Sequence, residues 1–315
     1  MNFLAINALK AACIDAFPII LSTRSNGRIP ITHPSASAFN YSIAGILLDD
    51  KLYCIDVSDK YSVWNILPNK ALISQARIMK EGNTRWTDLT KSSKGVEYIT
   101  SIYEFADDGQ YQGEITSTYR DKSAQEFRRF YYNQHKDEQH YKDELAKKIA
   151  LPIEDIKIED VADINKEVKR SFVVKPDLVL GDEFLYIDPM LIKHFAENPF
   201  KAEARKFPIQ FNYLENHIQI VRIDIPDGYK VEELPESITY VLDEDNTLKF
   251  LYHVAVNGNT VDVRYHYTIN DLLVLQTKYP ELQDFFAKIV SKCSEMIVLK
   301  KIGEDEAVSI TETEA

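Results

Sequence analysis

Residues 95–105 read GVEYITSIYEF, and residues 111–119 read YQGEITSTY. Apolar and polar side chains alternate along both stretches, as they do in strands that bury one face. Asp107, Asp108 and Gly109 lie between the two stretches, and an Asp-Gly pair between alternating segments indicates a tight turn. The sequence therefore predicts an antiparallel hairpin here, and this is the clearest secondary-structure signal in the chain.

The sequence that follows the hairpin changes character twice. Residues 122–150 are strongly charged and contain few helix breakers, which predicts one long helix or two. From residue 207 the alternation returns with turn-forming residues at short intervals, a pattern typical of a β-sandwich, and a helix at 281–294 and a strand at 296–300 close it. The predicted strands of this last region are 217–225, 230–234, 238–242, 248–256 and 260–269.

The sequence before the hairpin begins with an amphipathic helix. Residues 1–10 carry apolar side chains at positions 3, 4, 6 and 9, and no basic stretch precedes an apolar one, so this is not a secretory signal. No capping residue precedes the helix, and an uncapped start leaves backbone N–H groups unpaired. We therefore expect the helix to begin upstream of Met1. Three strands follow, at 16–24, 40–48 and 51–56.

These elements predict an α+β, multidomain protein. We expect the C-terminal antiparallel β-sandwich to fold by itself, because its strands carry their own alternation and turns. The last residues are acidic and poor in apolar side chains, which predicts a disordered tail. The predicted units are 1–80, a middle α/β unit at 81–206 with the long helix, the sandwich at 207–302 and the tail at 303–315.

Charge and hydropathy exclude several classes of protein. The chain has 37 Lys and Arg against 49 Asp and Glu, a formal net charge of −12. Such a balance argues against a nucleic-acid partner, since binding a phosphate backbone requires clustered positive charge. No apolar run reaches the ~18 residues that a membrane-spanning helix needs, so no transmembrane segment is predicted.

Cysteine and histidine patterns indicate no metal and no cofactor. Cys13, Cys54 and Cys293 are widely spaced without a CxxC pair, and we expect the first two to be buried packing residues. His135 and His140 stand five apart, which on one helix separates them by about 140°, so the zinc-protease spacing is not met. The remaining histidines stand singly and are expected at the surface or in strand pairs; they are His33, His194, His217, His253 and His266.

Several short segments of the chain form a recognisable series. After the first helix come FPIILSTR at 17–24, FNY at 39–41, YCIDVSDK at 53–60 and ILP at 66–68, which together resemble the second half of a transglutaminase-like, papain-type core. Further segments are YIDP at 186–189, NPFK at 198–201, RKFPI at 205–209, IPDGY at 225–229, ELP at 233–235, YPEL at 279–282 and IVLKK at 297–301. With these the chain more closely resembles bacterial secreted proteins in which such a core lies between two domains of unknown function, and the resemblance covers nearly the whole chain up to about Lys301.

The resemblance implies a truncated core with an incomplete catalytic triad. In such cores a cysteine opens the helix, a histidine starts one strand and an aspartate ends the next, and the histidine activates the thiol. Mapped onto this chain, the aspartate falls on Asp56 and the histidine position on Asn40, while the nucleophile would lie upstream of Met1. Cys13 maps to the end of the helix. Because a carboxamide has no usable basicity, Asn40 and Asp56 are vestigial positions.

Three functions remain open from the sequence. The leading hypothesis is a non-catalytic transglutaminase-like module that binds a protein or cell-envelope partner. The rival is a cysteine-dependent amidase, protease or acyl transferase that is active only in a longer chain supplying the nucleophile. A structural envelope module without a ligand is the third. The resemblance implies a periplasmic or extracellular location, although the sequence shows no signal peptide.

Overall fold

The structure is a computed structural model, and most of the predicted elements lie within the part that it describes. The predicted turn at 107–109, His33 and the acidic tail beyond Gly303 lie outside the described residues. The described residues are 1–30, 32, 35–106, 110–135, 137–180 and 183–303.

The first part of the chain forms a helix and a five-stranded antiparallel sheet. The predicted helix and first three strands are confirmed, and Asp49 and Asp50 join the second and third strands with positive φ values of 48° and 59°, as a two-residue hairpin turn requires. The last two strands have three residues each and are too short to show a periodic pattern. The elements are α1 (Asn2–Ala11), β1 (Ala16–Leu21), β2 (Tyr41–Leu48), β3 (Lys51–Ile55), β4 (Ala76–Ile78) and β5 (Arg85–Thr87), in the sheet order β3-β2-β1-β4-β5.

The middle part contains the predicted hairpin and two helices. The hairpin strands pair from Phe105 with Tyr111 to Gly95 with Asp121, so the hairpin is confirmed. The charged segment forms two helices, because the first ends at Gln134 and Asp137 caps the second by accepting a 2.8 Å hydrogen bond from the His140 backbone N–H. The elements are β6 (Lys94–Phe105), β7 (Tyr111–Asp121), α2 (Lys122–Gln134), α3 (Glu138–Ile149), β8 (Ile153–Glu159) and β9 (Val168–Val174).

The last part is rich in strands and ends with a helix and a closing strand, as the sequence predicts. Five long or medium strands occupy the predicted positions, and three strands of only two residues each are additional. The elements are β10 (Val179–Leu180), β11 (Phe184–Ile187), β12 (Ile209–Gln210), β13 (Leu214–Asp224), β14 (Tyr229–Glu233), β15 (Ile238–Val241), β16 (Leu248–Asn257), β17 (Thr260–Ile269), β18 (Leu273–Val274), α4 (Tyr279–Lys292) and β19 (Ile297–Lys301).

An eight-stranded sheet organises the middle and last parts of the chain. Its order is β15-β16-β17-β13-β6-β7-β9-β8, and a separate four-stranded sheet has the order β10-β11-β19-β14. Neighbouring strands of the large sheet are antiparallel except β13 and β6, which pair in parallel from Leu214 beside Lys94 to Ile223 beside Tyr103. The short strands β12 and β18 pair with each other.

The eight-stranded sheet, the four-stranded sheet and α4 bury a common hydrophobic core. Tyr252, Tyr265 and Tyr267 of the large sheet are fully buried and belong to one cluster with Phe286 of α4 and Leu299 of β19. Aromatic and branched side chains of this size supply most of the apolar area that stabilises such a core. The protein is thus mostly β-sheet with several sheets, consistent with an α+β multidomain fold.

The large sheet crosses the domain boundary that the sequence predicts at residue 206. Strand β6 precedes that boundary and β13 follows it, yet ten residue pairs join them. The first sheet also extends past residue 80, since β5 belongs to it, and Leu214 packs into its hydrophobic core. Alternation along a segment indicates a strand but not the strand that it pairs with. Sequence reasoning therefore assigns β6 and β13 to different units, although they are neighbours in one sheet.

The helices are short. The longest of them in the described ranges, α4, has 14 residues. None combines the length and the apolar character that crossing a bilayer demands.

Candidate functional site

Asp56 directly follows β3, and its carboxylate is the most heavily hydrogen-bonded acidic group of the candidate site. The residue is completely buried. Oδ1 accepts hydrogen bonds from the Asn2 side-chain amide at 2.8 Å, the Ser58 backbone N–H at 3.0 Å and the Ser58 hydroxyl at 2.6 Å. Oδ2 accepts one from the Tyr41 hydroxyl at 2.7 Å. Four donors therefore converge on this one carboxylate.

These donors determine the charge state of Asp56. Burial alone would raise its pKa, because removal from water disfavours the charged form. The hydrogen bonds from Ser58, Asn2 and Tyr41 outweigh burial and leave the pKa below the ordinary value of an aspartate. Asp56 is therefore a carboxylate at neutral pH.

Tyr41, and not Asn40, is the residue that the structure brings to Asp56. Asn40 turns the other way: its Oδ1 accepts a 2.9 Å hydrogen bond from the Thr23 backbone N–H, and its Nδ2 donates one of 3.0 Å to the Thr23 hydroxyl. Successive residues at the start of a strand point to opposite sides, which explains why neighbours in sequence have different surroundings. The two positions predicted as vestigial triad members thus do not meet in the described part of the chain.

Asn2 ties the first turn of α1 to the end of the sheet. Its side-chain amide donates to the Ser42 carbonyl at 2.9 Å as well as to Asp56, and its Oδ1 accepts a 2.9 Å hydrogen bond from the Val57 backbone N–H. All polar atoms of this side chain are thereby used. Sequence reasoning missed Asn2, although a carboxamide among apolar residues at the start of a helix is the signal that would have identified it.

A cleft of about 520 Å³ lies beside Asp56, between the first sheet and α2. Lys70 crosses its edge with Nζ 4.0 Å above the centre of the Tyr41 ring, and Arg129 of α2 pairs with Asp59. Most of its lining is charged or polar, so the cleft suits a polar occupant. The lining residues are Asp56, Ser58, Asp59, Lys60, Tyr61, Pro68, Asn69, Lys70, Glu126, Arg129 and Asn133.

None of the three cysteines is a hydrogen-bond partner of Asp56 in the described chain. Cys54 and Cys293 are buried, and burial raises the pKa of each thiol to about 12. Cys13 is exposed, which corrects the prediction that it is buried. It follows the C-terminal end of α1 in a left-handed backbone conformation with φ of 61°.

Histidines meet in two places, and in the first of them the two residues are ones that the sequence treats as single. His194 and His217 have ring centres 4.1 Å apart, and each contacts a carboxylate: His194 Nε2 lies 3.2 Å from Glu215 Oε1, and His217 Nδ1 lies 3.1 Å from Glu97 Oε2. These residues come from segments far apart in sequence, so no local pattern could reveal the cluster. It is the one group in the described chain with the donors of a metal site.

The second pair is His135 and His140, whose Nδ1 atoms are 3.3 Å apart. Sequence reasoning places them on opposite sides of one continuous helix. The break between α2 and α3 removes that constraint and allows the two rings to approach each other.

The comparisons with known proteins give one family model and one similar solved structure. A family model described as a domain of unknown function with a solved structure (DUF3858) matches residues 183–299, from the start of β11 into β19. Among solved structures, the chain is similar to a crystal structure of "a putative protease" from Parabacteroides distasonis, with a TM-score of 0.48 and 9% sequence identity. The alignment covers 93% of this chain and 41% of that chain. No curated protein matches the chain.

Proposed function

We propose that this chain is a non-catalytic transglutaminase-like protein whose N-terminal unit serves as an interaction or structural module. The observation that carries the proposal is the set of donors to Asp56: a carboxamide, two hydroxyls and a backbone amide. In a cysteine–histidine–aspartate triad the aspartate orients an imidazole, and the imidazole removes the proton from the thiol. Neither Tyr41 nor Asn2 is a base at neutral pH, so this carboxylate has no general base to orient.

The positions of the thiols support the same proposal. Asp56 contacts the first turn of α1, whereas Cys13 follows its last turn, and a ten-residue helix is about 15 Å long. Cys54 and Cys293 are buried, and their raised pKa values keep them as unreactive thiols. Within the described residues no thiol is a hydrogen-bond partner of Asp56, which supports the proposal.

In this account Asp56 is a structural anchor, and the cleft beside it is the surface for a partner. The carboxylate joins α1 through Asn2, β2 through Tyr41 and the segment after β3 through Ser58. Because the cleft is lined mainly by charged and polar groups, we assign it to a polar segment of a protein or cell-envelope partner.

An extracytoplasmic location belongs to the proposal as well. It is supported by the resemblance to bacterial secreted proteins. Fractionation of the cells that express the protein natively tests it: we expect the protein in the periplasmic or extracellular fraction, and recovery with cytoplasmic marker enzymes would contradict the location.

The alternative function is a cysteine-dependent amidase, protease or acyl transferase that acts in a longer chain. One observation favours it: Asp56 is buried beside the first turn of α1, and in the family pattern the nucleophile opens this helix. Such an enzyme would still need a base in place of Tyr41.

The test measures release of ammonia from a glutamine peptide, hydrolysis of peptide amides and incorporation of a fluorescent primary amine. The full chain is compared with Asp56→Asn and with Cys13→Ser. We expect all three to match the enzyme-free blank. Turnover by the full chain that disappears in folded Asp56→Asn would overturn the proposal and support the alternative.

A further inference from the structure

A second group of titratable side chains shares no residue with the lining of the Asp56 cleft and is unused by the proposed function. Glu215 and His217 are two residues apart on β13, so their side chains project from the same face of the large sheet. Glu97 of β6 stands directly beside His217 in the parallel register. His194, in an irregular segment between β11 and β12, lies against them with its ring centre 4.1 Å from that of His217.

The donor atoms of this group are close enough to share one ion. One ligand atom from each of Glu97, His194 and His217 lies within 4.8 Å of one from each of the others. His217 Nδ1 and Glu97 Oε2 are 3.1 Å apart, close to the roughly 3.3 Å between two ligands of a tetrahedral zinc ion with bonds of about 2.0–2.1 Å. The His194 nitrogen lies up to 4.8 Å from the other two ligand atoms, so binding one ion requires a side-chain adjustment of His194.

We propose that Glu97, His194 and His217 bind one divalent transition-metal ion, with Zn²⁺ as the best match. Two imidazoles and a carboxylate form a ligand set that zinc uses, whereas Ca²⁺ and Mg²⁺ prefer oxygen ligands alone. Glu215, 3.2 Å from His194 Nε2, orients that imidazole through its second nitrogen, as carboxylates do beside many zinc-bound histidines.

The position of the site suggests what the metal does. His194 and His217 belong to the segment matched by the DUF3858 model, while Glu97 lies on β6, outside that segment. A metal bound by all three joins the irregular segment around His194 to the two central strands of the large sheet. We assign it a structural role at this junction.

The experiment uses the full chain without a histidine tag, stripped with a chelator and titrated with ZnCl₂ by calorimetry. We expect one tight equivalent per chain, and a tetrahedral absorption spectrum when Co²⁺ replaces Zn²⁺. His194→Gln, at a partly exposed residue in an irregular segment, should weaken binding at least about tenfold. Glu97→Gln should act similarly, and circular dichroism verifies that each variant is folded.

The matched control is the double variant His135→Gln, His140→Gln, which removes the other histidine pair. It should bind zinc as the unchanged chain does. Absence of a tight equivalent in the unchanged chain would overturn the proposal and leave the cluster as two histidine–carboxylate pairs. Binding that persists in folded His194→Gln, or that disappears in the control, would also overturn it.

Discussion

The Tyr41 hydroxyl donates a 2.7 Å hydrogen bond to Oδ2 of Asp56. Tyr41 begins β2 and Asp56 follows β3, so this contact joins the ends of two neighbouring strands at the edge of the cleft. Lys70 lies over the other side of the same ring, which holds the phenol in place. If Asp56 belonged to a catalytic triad, a base that removes the proton from a thiol would have to stand in the place of Tyr41. The contact instead stabilises the junction between the first helix and the sheet.

Replacement of Asp56 by asparagine should lower the free energy of unfolding by about 1–3 kcal/mol, because a buried, charged acceptor with four donors is lost. Urea denaturation followed by circular dichroism measures this. Asp49→Asn is the control: Asp49 is exposed in a hairpin turn that asparagine tolerates, and its effect should stay within about 0.5 kcal/mol. Equal effects of the two changes would contradict the anchor role.

The contribution of Asp56 should depend on pH in a defined direction. Its pKa is lower in the folded protein than in the unfolded chain, where an aspartate titrates at about 3.9. The stabilisation is therefore complete above that value and is lost as pH falls through the folded pKa. The difference in stability between the unchanged chain and Asp56→Asn, measured from pH 7 to pH 2.5, should shrink below about pH 4. A stability difference that grows on acidification would mean that folding raises the pKa of Asp56, which contradicts the prediction.

Thiol labelling should distinguish the three cysteines. Because Cys13 alone is exposed, iodoacetamide should modify it in the native protein, while Cys54 and Cys293 react only after unfolding. Peptide mapping by mass spectrometry identifies the labelled site, and Cys13→Ser provides the blank. Rapid native labelling of Cys54 would mean that its strand is open to solvent.

The parallel pairing of β6 with β13 predicts how fragments behave. A fragment of residues 207–303 loses the ten residue pairs that β6 provides and exposes the edge of β13. We expect it to aggregate or to unfold without cooperativity, whereas residues 90–303 retain the sheet and melt in one transition. Cooperative melting of a soluble 207–303 fragment would restore the boundary that the sequence indicates.

The sequence predicts those parts of the fold that depend on local patterns. The alternation at 95–105 and 111–119 identifies a hairpin, since side chains of each strand report which face is buried. The parallel neighbour of β6 is more than a hundred residues away, and nothing within either strand names the other. Strand partners of this kind follow from tertiary packing.

In the candidate site, too, local sequence patterns identify some residues, while others become evident only from contacts across the fold. Sequence reasoning finds Asp56 and the right strand beside it, but it selects Asn40 where the structure has Tyr41 facing the carboxylate. Successive residues along a strand point to opposite sides, so a mapping by sequence order alone does not reveal which of the two neighbours contacts the carboxylate. Asn2 and the cluster around His217 depend on contacts across the fold, which lie beyond local patterns.

Hydrogen exchange of α1 tests the central claim, that Asp56 holds the first helix on the sheet. The amides of α1 are compared by mass spectrometry in the unchanged chain, in Asp56→Asn and in the control Asp49→Asn. Loss of the Asn2–Asp56 hydrogen bond should release the first turn of α1. The α1 amides should therefore exchange faster in Asp56→Asn than in the unchanged chain, and at the same rate in the control as in the unchanged chain. Identical protection of α1 in all three proteins would contradict the account.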